Sequence, residues 1–156
     1  MKALVYHGPG QKAWEDVPNP VLLEPTDAIV KMEVTTICGT DLHILKGDVP
    51  AVTEGRTLGH EGVGVVEKVG EGVTDVEVGQ MIGNAWLWSA CGECEHYRQG
   101  WETLCQSQTY GGYTVDGSFG EYMLVDTKFA ARIPDGADPY EIAPVLCAGV
   151  TTYKGL

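Results

Sequence analysis

The sequence predicts a mainly β domain, a partly open barrel with a helix at its C-terminal end. Three observations carry that expectation. Short runs of strand character recur along the chain, each bounded by turn residues. Glycine supplies 21 of the 156 residues with neither a collagen period nor a low-complexity run, as in a chain that spends glycine on turns between strands. A sustained helical pattern begins only at Asp138.

In chain order, Lys2 to Tyr6 reads as a strand, Gly8-Pro9-Gly10 breaks it, and Ala13 to Val17 reads as the return. Asp27 to Thr35 alternates, with Ala28, Val30, Met32 and Val34 on one face and Lys31, Glu33 and Thr35 on the other. Gly39 to Leu45 predicts a single helical turn, entered through a Thr cap and ended at Gly47. Gly62 to Val69 and Val76 to Ile82 read as two more strands. Ser89 to Tyr113 departs from this rhythm: it is polar and cysteine-bearing, an excursion held by something other than a core. Strand character resumes over Ser118 to Val125 and again over Ala130 to Ile133. From Asp138 the pattern is helical, with Pro139 in the first turn and Ile142, Val145 and Leu146 sharing a face.

Length suits one domain, residues 1–156, with enough chain to bury a sizeable core. Ten basic against 22 acidic side chains give a net charge of −12, which repels phosphate backbones and disfavours a nucleic-acid partner. No apolar run approaches the ~18 residues of a membrane span. The N-terminus turns polar too quickly for a signal peptide, so a cytoplasmic location is the default expectation. Five cysteines, an odd count in a chain too large to need staples, read as reduced thiols with a metal or catalytic use.

The strongest local signal is Cys91-Gly92-Glu93-Cys94, with Cys105 further on. A C-x-x-C pair turns two sulfurs toward one ion, and a tetrahedral zinc site needs two more ligands. Cys105 is the third; His96 and Tyr97 are the candidates for the fourth, imidazole being the better zinc ligand. A second set comprises Cys38, Thr40, His43, His60 and Glu61. Thr40 and His43 stand three apart on the expected helical turn, on one face. Taken singly, a strand-end Cys usually packs and a lone His is usually a surface or satisfied core residue. Cys147, inside an apolar segment, reads locally as a small hydrophobe.

Four motifs together change those weights. Gly59-His60-Glu61-Gly62-Val63-Gly64 with Gly70, and Cys38-Gly39-Thr40-Asp41-Leu42-His43, are similar to the signatures of zinc-dependent medium-chain alcohol dehydrogenases. The cysteine excursion, residues 89–113, resembles that family's structural-zinc lobe, and Cys147 to Lys154 resembles its segment leading toward the cofactor domain. The resemblance implies a GroES-like catalytic domain, a distorted β-barrel with short helices. It implies that Cys38, His60 and Cys147 hold a catalytic zinc, with Glu61 close behind the metal. Thr40 and His43 would pass the alcohol proton to solvent, and Trp86 would line a pocket for small alcohols. The implied reaction takes an alcohol to an aldehyde or ketone through a zinc-stabilised alkoxide, with NAD or NADP as hydride partner.

Two departures qualify the resemblance. Cys91, Cys94 and Cys105 match three of four structural-zinc cysteines, but Tyr97 stands where the remaining one belongs. His96 substitutes, or three cysteines hold zinc with water, or the lobe is metal-free; a weakened or absent structural zinc, with a mobile lobe, is the expectation. Second, the family's doubly wound nucleotide-binding half has no counterpart in these residues. Gly62-Val63-Gly64 lies inside a strand pattern and Gly111-Gly112 inside the lobe, so neither makes a phosphate-binding turn. Hydride transfer by this chain alone is therefore expected to be feeble or nil. The alternative reading is a non-catalytic zinc-binding module or scaffold on the same barrel. A monomer is expected, or self-association through an apolar patch near Val145, Val150 and Tyr153.

Overall fold

A computed structural model describes all 156 residues. Strand β1 (Lys2–Tyr6) pairs antiparallel with β2 (Lys12–Asp16), Leu4 opposite Trp14. Strand β3 (Asp27–Thr35) leads into helix α1 (Gly39–Lys46). There follow β4 (Gly62–Val69), β5 (Met81–Asn84) and β6 (Leu87–Ser89). A short helix α2 (Glu95–Arg98) and strands β7 (Thr109–Tyr110), β8 (Tyr122–Asp126) and β9 (Ala131–Arg132) come next. Helices α3 (Pro139–Ile142) and α4 (Ala148–Gly155) close the chain. The main sheet has the order β8-β3-β4-β5-β9, antiparallel throughout. Bridges Ala3 to Gly120 and Val5 to Thr57 fold the β1–β2 hairpin against the segments flanking that sheet. Strands β6 and β7 form the stem of the cysteine excursion. No helix is long and apolar enough to cross a membrane.

The inward faces of β3, β4, β5 and β8 pack Val30, Val66, Ile82, Met123 and Val125 into one apolar cluster. A second holds Tyr6, Ile44, Leu58 and Phe119 under α1. A third packs Ala143 and Leu146 on Val63 and Ile133, which fixes the C-terminal segment against β4. Each fully buried aliphatic side chain contributes about 1.5–3 kcal/mol.

The structure differs from several of these expectations. Helix α1 runs eight residues rather than one turn, and its N-cap is Cys38, not Thr40. Asp41 moves the start upstream, because its Oδ2 accepts the Cys38 N–H at 2.9 Å. The expected strand over Val76 to Ile82 begins only at Met81. Its first half is a turn, closed by the Gln80 N–H donating to Glu77 O at 3.0 Å. Ser118 to Gly120 are not in β8. Their backbone instead answers the segment before His60, Ser118 N–H donating to Gly59 O at 3.0 Å and Phe119 N–H to Leu58 O at 2.8 Å. The C-terminal helical pattern is broken into α3, a 3-10 turn over Ala143–Leu146, and α4. Pro144 lacks an N–H to continue the α-helical ladder. The tighter turn buries Ala143 with Leu146 and leaves Val145 exposed. Val150 and Tyr153 are exposed as well.

Gly59 is the backbone position on which the site depends most. Its φ is +95°, and a Cβ there would lie 2.4 Å from the Phe119 ring. Gly59→Ala therefore combines a left-handed backbone, ~1–2 kcal/mol, with overpacking, ~1–3 kcal/mol. The expected result is a loss of about 2–5 kcal/mol in urea denaturation, with the midpoint falling and the slope unchanged.

Candidate metal centre and its aromatic wall

Three separate turns of chain converge at one rim of the sheet. Cys38 caps α1 in extended conformation. His60 and Glu61 follow Gly59 at the entry to β4 and are almost fully buried, at 1% and 3% exposure. Cys147 sits between the 3-10 turn and α4, its backbone bent out of helical geometry at φ −124°, ψ −69°. The ligand atoms of Cys38, His60, Glu61 and Cys147 all lie within 4.8 Å of one another. The sulfurs of Cys38 and Cys147, 109 positions apart in sequence, are separated by 3.8 Å.

The surroundings of this cluster are polar and incompletely satisfied. Neither ring nitrogen of His60 has a hydrogen-bond partner, nor has Asp41 Oδ1. That Asp41 oxygen lies 3.7 Å from His60 Nδ1, beyond a good hydrogen bond. Burial lowers the His60 pKa, which keeps its imidazole in the neutral, ligating form, while Asp41 and Glu61 oppose the shift. Burial raises Asp41 against the pull of His60 and of the Cys38 and Gly59 N–H groups. Burial first, then the Cys38 sulfur and the Glu61 carboxylate, push the Cys147 thiol up to about 12. The Thr36 hydroxyl donates to Glu61 Oε2 and fixes that carboxylate.

Thr40 stands at the edge of the cluster, its hydroxyl oxygen 3.7 Å from the Cys38 sulfur. His43 is one helical turn on, exposed, with Nδ1 2.7 Å from Asp48 Oδ2. No direct hydrogen bond joins Thr40 to His43. Trp86 meets His60 edge-on, with ring centroids 5.0 Å apart. It stacks on Tyr110 at 4.8 Å and on Tyr113 at 5.8 Å. Those two tyrosines, absent from the sequence-based site, bracket Gly111-Gly112 at the end of the excursion. Their only sequence signal is an aromatic pair three apart across two glycines. Asp41 was missed too; an acid three residues after a Cys at a helix start was its signal.

In the excursion, Cys91, Cys94 and Cys105 bring their sulfurs within 4.8 Å of one another. His96 borders the recess beside them but does not join them within that distance. Tyr97 gives its backbone N–H to the Cys94 sulfur at 3.4 Å. The Glu93 and Cys94 N–H groups lower the Cys91 thiol to about 7. A separate groove of about 400 Å³, lined by Leu4, Trp14, Met32, Ile37 and Phe119, holds none of these ligand atoms.

The barrel cluster fits zinc by the chemistry of its donors. Two thiolates and a carboxylate would repel one another, and a cation at their centre relieves that repulsion while taking the lone pair of the neutral imidazole. The unpartnered His60 nitrogens would otherwise cost about 1–3 kcal/mol each. The lobe fits a closed four-ligand zinc less well, since a fourth donor does not converge with its three sulfurs.

Residues 24–135 match the family described as alcohol dehydrogenase GroES-like domain. The chain is 51% identical over 160 residues to an alcohol dehydrogenase of Moraxella sp. strain TAE123, covering 100% of this chain and 46% of that protein. It is 50% identical over 135 residues to an alcohol dehydrogenase of Geobacillus stearothermophilus, covering 86% of this chain and 40% of the other. Among solved structures, alcohol dehydrogenase TADH from Thermus sp. ATN1 superposes with a TM-score of 0.93 at 32% identity, over 100% of this chain and 46% of that one. A zinc-dependent alcohol dehydrogenase 2 from Streptococcus pneumonia gives 0.83 at 39% identity, over 93% and 42%. The chain thus spans less than half the length of these relatives.

Proposed function

The chain belongs to the family of alcohol dehydrogenase GroES-like domains, and from that membership we propose that these residues form the metal-holding, alcohol-binding half of an alcohol dehydrogenase. The observation that carries the reading is the convergence of Cys38, His60, Glu61 and Cys147 around a point where buried ring nitrogens lack partners. Cys38, His60 and Cys147 would hold zinc, leaving one tetrahedral position for a substrate oxygen. When bound, zinc supplies Lewis acidity that polarises an alcohol or carbonyl oxygen.

The chain's own residues do the rest. Asp41, facing His60 Nδ1, orients the imidazole from behind. Glu61, held by Thr36, keeps a carboxylate beside the ligands. The Trp86 ring, backed by Tyr110 and Tyr113, shields His60 from water and narrows the space beside it toward small alcohols. The Thr40 hydroxyl accepts the proton of the alcohol and passes it toward His43. Because those two side chains do not touch, the transfer runs through a bridging hydroxyl or water. Asp48 Oδ2, 2.7 Å from His43 Nδ1, holds that ring where it meets solvent. A positioned relay of this kind contributes about 10²–10⁴-fold. A nicotinamide, NAD or NADP, would supply the hydride acceptor for the substrate carbon when bound. With all strand pairs antiparallel, these residues make no doubly wound dinucleotide fold.

Cobalt substitution tests the reading. In a chain carrying Cys91→Ser and Cys94→Ser, one cobalt ion is expected at the barrel cluster, with visible bands that shift when ethanol or an aldehyde is added. Cys147→Ser should remove both ion and bands. A cluster that takes up no ion, or whose spectrum ignores alcohols and aldehydes, would sink the proposal.

A further inference from the structure

Strand β5 ends on a buried amide that the proposed mechanism does not use. Asn84 is 4% exposed and pairs with Gly62, the residue after Glu61. Its Nδ2 has no hydrogen-bond partner. A buried donor without an acceptor costs stability that an apolar side chain of similar shape would not. Three of the five such atoms in the chain, Asp41 Oδ1 and both His60 ring nitrogens, belong to the metal centre. The fold itself gives no reason for an amide at position 84.

What the amide touches is the turn that carries the aromatic wall. A Cβ on Gly111 would lie 3.0 Å from Asn84 Nδ2, and 3.6 Å from both His60 Cβ and Ala85 O. The two longer distances are ordinary van der Waals contacts; the amide alone is too close. Gly111 does not adopt a left-handed backbone, so its lack of a side chain answers Asn84 rather than a turn requirement. Gly112, at φ +70°, rests on the backbone that presents His60, and a Cβ there would lie 2.6 Å from Gly59 N. The Gly111 N–H donates to Trp86 O at 3.1 Å, which ties the same turn to Trp86. Tyr110 and Tyr113, on either side of the two glycines, stack on Trp86, and Trp86 meets His60 edge-on. The wall is thus seated on two supports, Gly59 and Asn84.

We propose that Asn84 is a positioning residue whose amide, lodged under Gly111, sets how closely the Trp86, Tyr110 and Tyr113 stack approaches His60. Through that spacing it sets the width of the alcohol pocket, a consequence that rests on the function proposed above. A side chain at position 111 lifts the turn off Asn84, loosens the stack beside His60 and widens the pocket. Truncating Asn84 makes room for that side chain, so the two substitutions compensate each other.

The first measurement needs neither metal nor alcohol. The chain has four histidines, and the ring-proton resonances of His60 report the current of the Trp86 ring beside it. In the metal-free full chain, Gly111→Ala and Asn84→Ala are each expected to shift the His60 resonances and leave those of His7, His43 and His96 in place. The double variant should return them toward their unsubstituted positions. The second measurement uses the cobalt-loaded chain carrying Cys91→Ser and Cys94→Ser, titrated with ethanol and with 2-methylpropan-1-ol. One methylene in an apolar pocket already discriminates by about 10–200-fold, so Gly111→Ala is expected to favour the branched alcohol over ethanol by about tenfold or more, and the double variant to restore the original ratio. His60 resonances unmoved by both single substitutions, or a double variant that stays displaced, overturn the proposal. So does an unchanged alcohol ratio in Gly111→Ala when the bands respond to alcohols. Bands that ignore both alcohols in the Asn84- and Gly111-containing chain count against the metal-centre reading alone, and the His60 resonances then decide the positioning role.

Discussion

His60→Ala is expected to remove one metal ion per chain and to take with it the stabilisation that the ion confers. The imidazole is buried at 1% exposure beside two thiols and a carboxylate, so its truncation removes one of the donors that converge on the site. For an ion at about 1,000 times its dissociation constant, binding to the folded chain alone stabilises by ~4 kcal/mol. In a domain of this length that corresponds to roughly 8–16 °C in melting temperature. Thermal unfolding with and without a chelator checks the point. The unsubstituted chain should lose stability on chelation, whereas His60→Ala should melt at the chelated temperature whether or not chelator is present. Retention of the full metal complement by His60→Ala would show that the ion resides elsewhere. Cys91→Ser with Cys94→Ser in the same background keeps the lobe out of the count.

Asp41→Asn and Asp41→Ala separate two duties of one carboxylate. Its Oδ2 caps α1 through the Cys38 N–H, and its Oδ1 faces His60 Nδ1 at 3.7 Å. An Asn oxygen can still accept the Cys38 N–H, so Asp41→Asn should leave the helix in place. It removes the negative charge that orients the imidazole, and metal affinity is expected to fall by about 10–100-fold. Asp41→Ala should lose the same affinity and also the cap, worth about 0.5–2 kcal/mol. Competition against a chelating dye reads the first effect and chemical denaturation the second. Equal metal affinity in Asp41→Asn and the unsubstituted chain would reduce Asp41 to a helix cap.

The difference between these two residues mirrors what sequence patterns carry. Asp41 looks like an ordinary acid in a first helical turn, and only the approach of His60 from a distant segment gives it a second partner. Tyr110 and Tyr113 are similar cases: their stacking on Trp86 needs the β6–β7 pairing that brings the two ends of the excursion together. A continuous 3.6-residue period puts Val145 on one face with Ile142 and Leu146. Pro144 converts that stretch into a 3-10 turn, and the face rotates onto Ala143. The alternating valines of the Val76 to Gln80 turn mimic a strand because the turn buries Val76 and leaves Val78 exposed.

Local order was readable directly from the chain. Strand β3 occupies the residues that period-two alternation marks, because the pleat puts successive side chains on opposite faces whatever lies around them. The Cys91–Cys94 pair was equally plain, since a spacing of three residues already places two sulfurs on one turn. Cys38, His60 and Cys147 are different. Their spacing offers no such guarantee, and the resemblance of whole motifs, not periodicity, drew attention to them. Their approach to one point depends on β3–β4 pairing, on Gly59 holding a left-handed turn against Phe119, and on Leu146 docking beside Val63. Long-range convergence is the joint product of many packing choices, none of which is written at the residues that meet.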